Sequence, residues 1–294
     1  MHDGIHGFWV ASATPLDAAG QVDTPLLADH ARSLFARGCD GLVLFGTTGE
    51  GTSFSAAERV AVVRALLDQG IAAERLALGA GFPAIADAVG LCREMLSLGL
   101  AQVLVLPPYF YRDVTDDGLA DAYASLVDQV NDDRLRLTFY NIPQVSGVRV
   151  PPEVVARMHT RYGRVIAGVK DSSADFAQFR AYRAAAPELA VTVGAEPDIG
   201  RALAEGGAGT ICGMGNVAPD LVRAMFRPNP PVEAMRAACA LVSGPFVALL
   251  KSMLAAKSGQ AGWLNVRPPL RPATLADGTQ RLAKLDALTH QRAA

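Results

Sequence analysis

Lys170 stands directly after the apolar run 165–169 and opens Lys170-Asp171-Ser172-Ser173. A primary amine at a strand end can attack a ketone, and the iminium formed draws electrons from a neighbouring carbon–carbon bond. Alone, a lysine in this place is more often a solvated or ion-paired end group, so the chemistry needs partners. Tyr140, in Phe139-Tyr140-Asn141-Ile142-Pro143, offers a hydroxyl that can shuttle a proton during carbinolamine dehydration. Its structural alternative is a ring packed under a loop with the hydroxyl on a backbone carbonyl. Gly46-Thr47-Thr48-Gly49-Glu50-Gly51 joins glycines that allow close backbone approach to two hydroxyls, a set suited to a carboxylate. Such a grip would hold a 2-keto carbon beside Lys170. The competing reading is an ordinary strand-to-helix turn, and the glycine and lysine spacing is neither a Walker loop nor a dinucleotide fingerprint. Ser172 either binds substrate or caps the next helix.

These groups meet only if the chain gathers strand ends at one place. Apolar runs predict strands over 7–13, 41–45, 76–79, 102–106, 135–140, 164–169, 189–193 and 209–212. Helical segments are expected between them, including 24–36, 85–98 and 116–130. Another opens at the capping box Ser55-Ala56-Ala57-Glu58, with Val60, Val63 and Leu67 as its inward stripe. Strands alternating with helices at intervals of roughly 30 residues call for a parallel sheet. Eight such units can close on themselves, which predicts an α/β fold, a (β/α)8 TIM barrel. A doubly wound open sheet is the alternative. Further helices are expected over 219–226, 232–256 and 275–290, so residues 1–218 form the catalytic core and 219–294 a C-terminal helical extension packed on it.

Of the 294 residues, 50% are hydrophobic and 19% charged, enough for a sizeable core and too apolar for long disorder. The formal charge of -2 comes from interspersed charges, so no basic block marks a nucleic-acid partner or an anionic membrane. No apolar stretch is long enough to span lipid, and Met1-His2-Asp3-Gly4-Ile5 does not read as a secretion leader. Cys39, Cys92, Cys212 and Cys239 lie far apart and form no paired metal motif. Cys39 and Cys212 read as small buried thiols, and a reducing, cytoplasmic setting is expected. Asp171, Asp175 and Glu188 lack metal-ligand spacing and default to structural roles.

In their order along the chain, Gly46-Thr47-Thr48-Gly49-Glu50, Tyr140-Asn141-Ile142-Pro143 and Gly168-Val169-Lys170-Asp171-Ser172 resemble the dihydrodipicolinate synthase / N-acetylneuraminate lyase family of pyruvate-dependent class I aldolases. The resemblance covers approximately residues 5 to 292. It implies a Schiff base on Lys170, proton transfer by Tyr140 and carboxylate binding by Thr47 and Thr48. It also implies pyruvate as a substrate, no cofactor and no metal, and a homotetramer. Gly194 is expected to let backbone meet the substrate, Ile211 to form a pocket wall and Glu196 to bind a hydroxylated tail.

Two departures bear on the substrate. Synthases of this family place an arginine two residues beyond the proline of Tyr-Asn-x-Pro, where this chain has Val145, which cannot clamp a carboxylate. Phe110 stands where the synthase pattern has a proton-relaying tyrosine, and Gly213 and Pro197 depart from the sialic-acid lyase pattern. The expected activity is an aldolase acting on a 2-keto-3-deoxy sugar acid or related 4-hydroxy-2-oxo acid. Alternatives are 4-hydroxy-tetrahydrodipicolinate synthase, N-acetylneuraminate lyase, a sugar-acid dehydratase and a non-catalytic keto-acid-binding protein.

Overall fold

The computed structural model describes residues 4–290. Residues 1–3 and 291–294 lie outside the described residues; they include the start of the segment read for a leader and the ends of the expected core and extension. Eight strands, β1 (Gly7–Ala11), β2 (Gly41–Leu44), β3 (Leu76–Gly79), β4 (Gln102–Val105), β5 (Arg136–Asn141), β6 (Ile166–Asp171), β7 (Ala190–Val193) and β8 (Gly209–Cys212), follow one another around a closed parallel barrel. β8 returns to β1 in the register Gly7↔Gly209 through Val10↔Cys212. Strands buried on both faces need uninterrupted apolar residues; Gly41-Leu42-Val43-Leu44 is buried throughout.

The connections are helical: α1 (Thr24–Ala36), α2 (Ala56–Asp68), α3 (Ile85–Ser97), α4 (Asp116–Val130), a single turn α5 (Pro143–Ser146), α6 (Pro152–Tyr162), α7 (Phe176–Ala185) and α8 (Ile199–Ala204). Beyond β8 come α9 (Pro219–Ala224), α10 (Val232–Ala240), α11 (Phe246–Ser258) and α12 (Leu275–His290). The fold is the expected (β/α)8 TIM barrel with C-terminal helices, and the capping box at Ser55 and Glu58 forms in both directions. No helix among the described residues is long and apolar enough to cross a membrane.

Three expectations are corrected. The helix expected over 232–256 is two, because Gly244, at φ 101, and Pro245 break it before α11. The sixth strand begins later and runs further, since residues 163–165 form a tight turn and ladder pairing continues through Asp171. Lys170 therefore sits within β6 instead of after it. On α2 the buried residues are Arg59, Val62, Val63 and Leu66, while Val60 and Leu67 are half-buried. Arg59 takes an inward place because its guanidinium donates to Gly79 O at 2.6 Å and to the carbonyls of Gly51 and Phe54, and stacks 4.1 Å from the Phe82 centroid.

The core has two layers. Trp9, Ala11, Val43, Ala77, Leu104, Tyr140 and Ile211 fill the barrel interior, and a larger layer lies between strands and helices. At the flank, His30 Nε2 lies 3.0 Å from Asn216 Oδ1. That oxygen also accepts from Ala13 N, while Asn216 Nδ2 donates to Ala11 O and Gly213 O. The His30 nitrogen is thus the donor.

Burial lowers the His30 pKa from 6.5 to about 4. The unfolded chain therefore takes up a proton below pH 6.5 that the folded chain refuses until about pH 4. Stability from this site is full above that window and falls as pH drops through it, by on the order of 3 kcal/mol. Urea midpoints should show a shallower loss between pH 6.5 and 4 in His30→Gln than in the parent; parallel profiles would refute the assignment.

Candidate active site

The barrel mouth is formed where β2, β5, β6, β7 and β8 end. Tyr140 and Lys170 are register partners on adjacent strands, so their side chains rise from one rung toward the same end. Both are 4% exposed, and the Lys170 amine lies 4.2 Å from the Tyr140 ring centroid. The Tyr140 hydroxyl is 3.3 Å from Thr47 Oγ1. Thr47 is exposed to the mouth and Thr48 is buried beside it. Lys170, Tyr140 and Thr47 are thus brought together, with Thr48 the next residue of the loop.

The next rung braces this pair. Asn141 Nδ2 donates to Asp171 Oδ1 at 2.9 Å, and Asn141 Oδ1 accepts from Val150 N. Burial raises the Asp171 carboxyl, with the bonds from Asn141 and Ser173 opposing it. Asp171 therefore has a structural role, as do Asp175, which caps α7, and Glu188, which contacts His159.

The threonine loop is held in an unusual backbone. Phe45 and Glu50 adopt φ of 53° and 56°, costly for residues with side chains. A Cβ on Gly51 would lie 1.9 Å from Phe45 O, which is why glycine stands there. Glu50 fixes the far side: Oε1 accepts from Lys251 Nζ of α11 at 2.6 Å and Oε2 from Arg267 N at 2.8 Å, with both ion-pair side chains fully buried. Burial lowers the Lys251 pKa, and Glu50 opposes that shift.

Removing one partner of such a pair strands a charge, so Lys251→Met and Glu50→Gln should each cost about 3–5 kcal/mol in urea unfolding. The double variant should cost less than the two losses added. Simple additivity would show that the pair does not couple the loop to α11.

The remaining expected site residues fall around the mouth. Ser172 does not cap α7, since Asp175 does; its Oγ lies 2.0 Å from where a Cβ on Gly194 would sit, so the glycine makes room for it. Gly194 N donates to Asp171 O at 2.7 Å. Ile211 is wholly buried in the inner layer with Tyr140. Glu196 is already engaged: Oε1 accepts from Gly213 N and Met214 N at 3.1 and 2.9 Å, and Oε2 lies 3.7 Å from Cys239 Sγ. Through Oε1 it ties the β7 loop to the β8 loop.

A cavity of about 120 Å3 opens beside Tyr140 and Thr47, walled by Leu104, Leu106, Val145 and Arg59. Burial lowers the Arg59 pKa to about 10, and its Nε has no hydrogen-bond partner among the described residues. The sequence alone gives Arg59 and Lys251 no part in the site, and Glu50 only a place in the threonine loop. Among the described residues no cluster of three or more His, Cys, Asp or Glu could hold a metal. All four cysteines are unpaired, Cys39, Cys92 and Cys212 being buried; burial pushes Cys39 up to about 11 and Cys92 to about 12, which disfavours thiolate chemistry.

Comparison with known proteins agrees with this architecture. Residues 4–272 match the dihydrodipicolinate synthetase family model. An uncharacterized DapA-like lyase of Chloroflexus aurantiacus is 31% identical over 268 residues, 91% of this chain and 85% of the relative. A 4-hydroxy-tetrahydrodipicolinate synthase of Acidiphilium cryptum is 33% identical over 224 residues, 75% of this chain and 74% of the relative. The crystal structure of dihydrodipicolinate synthase from Agrobacterium tumefaciens superposes with a TM-score of 0.89 at 32% identity, covering 97% of this chain and 99% of that one. The chain belongs to the dihydrodipicolinate synthetase family and is a class I, aldolase-type lyase.

Proposed function

We propose that Lys170 is the Schiff-base lysine, that Tyr140 is its proton shuttle and that Thr47 and Thr48 hold the substrate carboxylate. The observation that carries this reading is the Lys170 amine 4.2 Å from the Tyr140 ring, whose hydroxyl reaches Thr47 at 3.3 Å. With the carboxylate on the threonines, the unprotonated Lys170 amine adds to C2 of a 4-hydroxy-2-oxo acid. Tyr140 delivers a proton to the departing hydroxyl, water leaves and an iminium remains. The tyrosine oxygen then takes the C4 hydroxyl proton as the C3–C4 bond breaks. An aldehyde departs, and the bond's electrons are held as an enamine on Lys170. Protonation at C3 and hydrolysis return pyruvate and the free amine. Ser172, Gly194 and Ile211 shape the pocket around C2 to C4.

The substrate class we assign is a 2-keto-3-deoxy sugar acid or a related 4-hydroxy-2-oxo acid. Val145 lines the cavity with Tyr140 and is 58% exposed, so it brings no charge to clamp a second carboxylate. The names of the relatives favour a second reading, 4-hydroxy-tetrahydrodipicolinate synthase. Residues 1–218 are assigned as catalytic core and 219–294 as its extension. Unpaired thiols support a cytoplasmic setting. Phe110 and Tyr111, 75% and 73% exposed on the loop after β4, support burial against a second copy in a homotetramer.

Turnover should be measured against a panel of 2-keto-3-deoxy sugar acids, aromatic aldol adducts and N-acetylneuraminate, and with pyruvate plus aspartate semialdehyde, identifying products by mass. Pyruvate with one aldehyde from a sugar acid or related adduct supports the assignment. Turnover only of the semialdehyde or of N-acetylneuraminate, water loss with the carbon chain intact, or binding without turnover would replace it with the corresponding alternative.

A further inference from the structure

The segment that follows α11 closes over loops at the barrel mouth. Gly262 O accepts from Leu16 N at 3.0 Å, and Asn265 Nδ2 donates to Leu16 O and Asp17 O at 2.8 and 3.1 Å, all on the loop after β1. Arg267 then spans two loops at once. Its Nε and Nη2 donate to Gly20 O at 3.0 and 2.9 Å on the β1 loop, and Nη1 donates to Ser53 O at 2.7 Å on the β2 loop. Nη2 also pairs with Glu58 Oε1 at 2.7 Å, and the guanidinium lies 4.0 Å from the Phe54 ring centroid. The bond to Arg267 is the main reason that the Glu58 pKa is lowered to about 2, so this carboxylate is charged at neutral pH. A flat, forked cation can meet two carbonyls and a carboxylate in this way, whereas a lysine ammonium is a point charge and cannot.

We propose that Arg267 is a positioning residue for the carboxylate site: by fixing the turn 51–54 against the β1 loop, it sets where Thr47 and Thr48 meet the substrate. The inference rests on the reading that these threonines hold the carboxylate. Arg267 secures Glu50, two residues beyond Thr48 and at φ 56, from both ends. Glu50 Oε2 accepts from Arg267 N at 2.8 Å, and Glu50 O accepts at 2.8 Å from the amide of Ser53, whose own carbonyl the guanidinium holds. Glu50 N in turn donates to Thr47 O at 3.3 Å, and Thr14 Oγ1 of the β1 loop donates to Gly49 O at 2.9 Å. A left-handed backbone bearing a side chain persists only where its surroundings impose it. Arg267 supplies that constraint from the C-terminal segment, as Arg59 does from α2 through Gly51 O and Phe54 O. Without the fork the turn is free to relax, and threonines displaced from the carboxylate cost binding before they cost chemistry.

Schiff-base formation with pyruvate isolates this step. The initial rate of cyanoborohydride trapping, read by intact mass, gives a half-saturating pyruvate concentration and a limiting rate. In Arg267→Lys the half-saturating concentration should rise about tenfold or more, while the limiting rate stays within about threefold of the parent's. Arg267→Gln should do the same, and takes its place if the lysine variant does not fold. Arg281→Gln controls for stability alone, because the bond from Arg281 to Leu241 O stays within the C-terminal helices. Its half-saturation should keep the parent's value whatever urea stability it loses. Thr47→Val separates the proposal from the reading beneath it. With half-saturation raised in Thr47→Val, a parental value in Arg267→Lys, an equal rise in Arg281→Gln, or a fall in limiting rate alone would each overturn Arg267 as a positioning residue and leave the threonine reading standing. No change in Thr47→Val would overturn the threonine reading and this proposal with it.

Discussion

Lys170→Ala should reduce turnover of the true substrate by about 10^4-fold or more while leaving urea stability close to that of the parent. The covalent intermediate splits one difficult cleavage into easier steps, and without an amine there is no electron sink for the C3–C4 bond. Lys170 makes no ion pair among the described residues, and its amine faces the Tyr140 ring; its removal therefore strands no partner charge. Steady-state rates with the substrate identified from the panel give the comparison. A loss below about tenfold would assign the amine a binding role and leave the chemistry without a nucleophile.

Tyr140→Phe should lower kcat by about 10^2–10^4-fold, the span for loss of a placed proton donor and acceptor. The ring stays, so packing with Trp9, Leu104 and Ile211 in the barrel interior is retained. Only the hydroxyl and its 3.3 Å contact to Thr47 are lost. Because that hydroxyl acts in dehydration and in cleavage, kcat and the rate of trapping by borohydride should fall together. Thr47→Val should instead raise KM more than it lowers kcat, as expected for a group that positions the carboxylate. A Tyr140→Phe enzyme with unchanged kcat would send the proton elsewhere, Tyr109 and Tyr111 being the other tyrosines near the mouth loops.

Much of this arrangement was legible because it depends on neighbours in the strand order. Each barrel strand announces itself as a short apolar run, and once the barrel closes, the ends of the fifth and sixth strands must adjoin. Tyr140 and Lys170 therefore had to approach each other, although the register that makes them partners on one rung comes only from pairing. The break between α10 and α11 is also written in the sequence, as Gly244-Pro245, but the apolar residues on either side continue the helical period across it.

What stayed hidden was polar burial. Glu50 and Lys251 are 201 positions apart, and nothing local distinguishes either from a solvated charge. Arg59 sits one residue before Val60 in an amphipathic helix, where periodicity favours the valine inward; three backbone carbonyls and an aromatic face reverse that choice. The two amides that hold Glu196 Oε1 come from the loop after the next strand. In each case the partner that decides the outcome is supplied by the closed fold.

The central claim is that one amine, Lys170, becomes covalently bonded to the keto carbon. It is tested most directly by reducing the protein with borohydride in the presence of pyruvate, then measuring intact mass and mapping the modified peptide. The account predicts one added, reduced pyruvate per chain, located on Lys170 and lacking in Lys170→Ala. An active enzyme that gains no such mass, or carries it on another lysine, would contradict it.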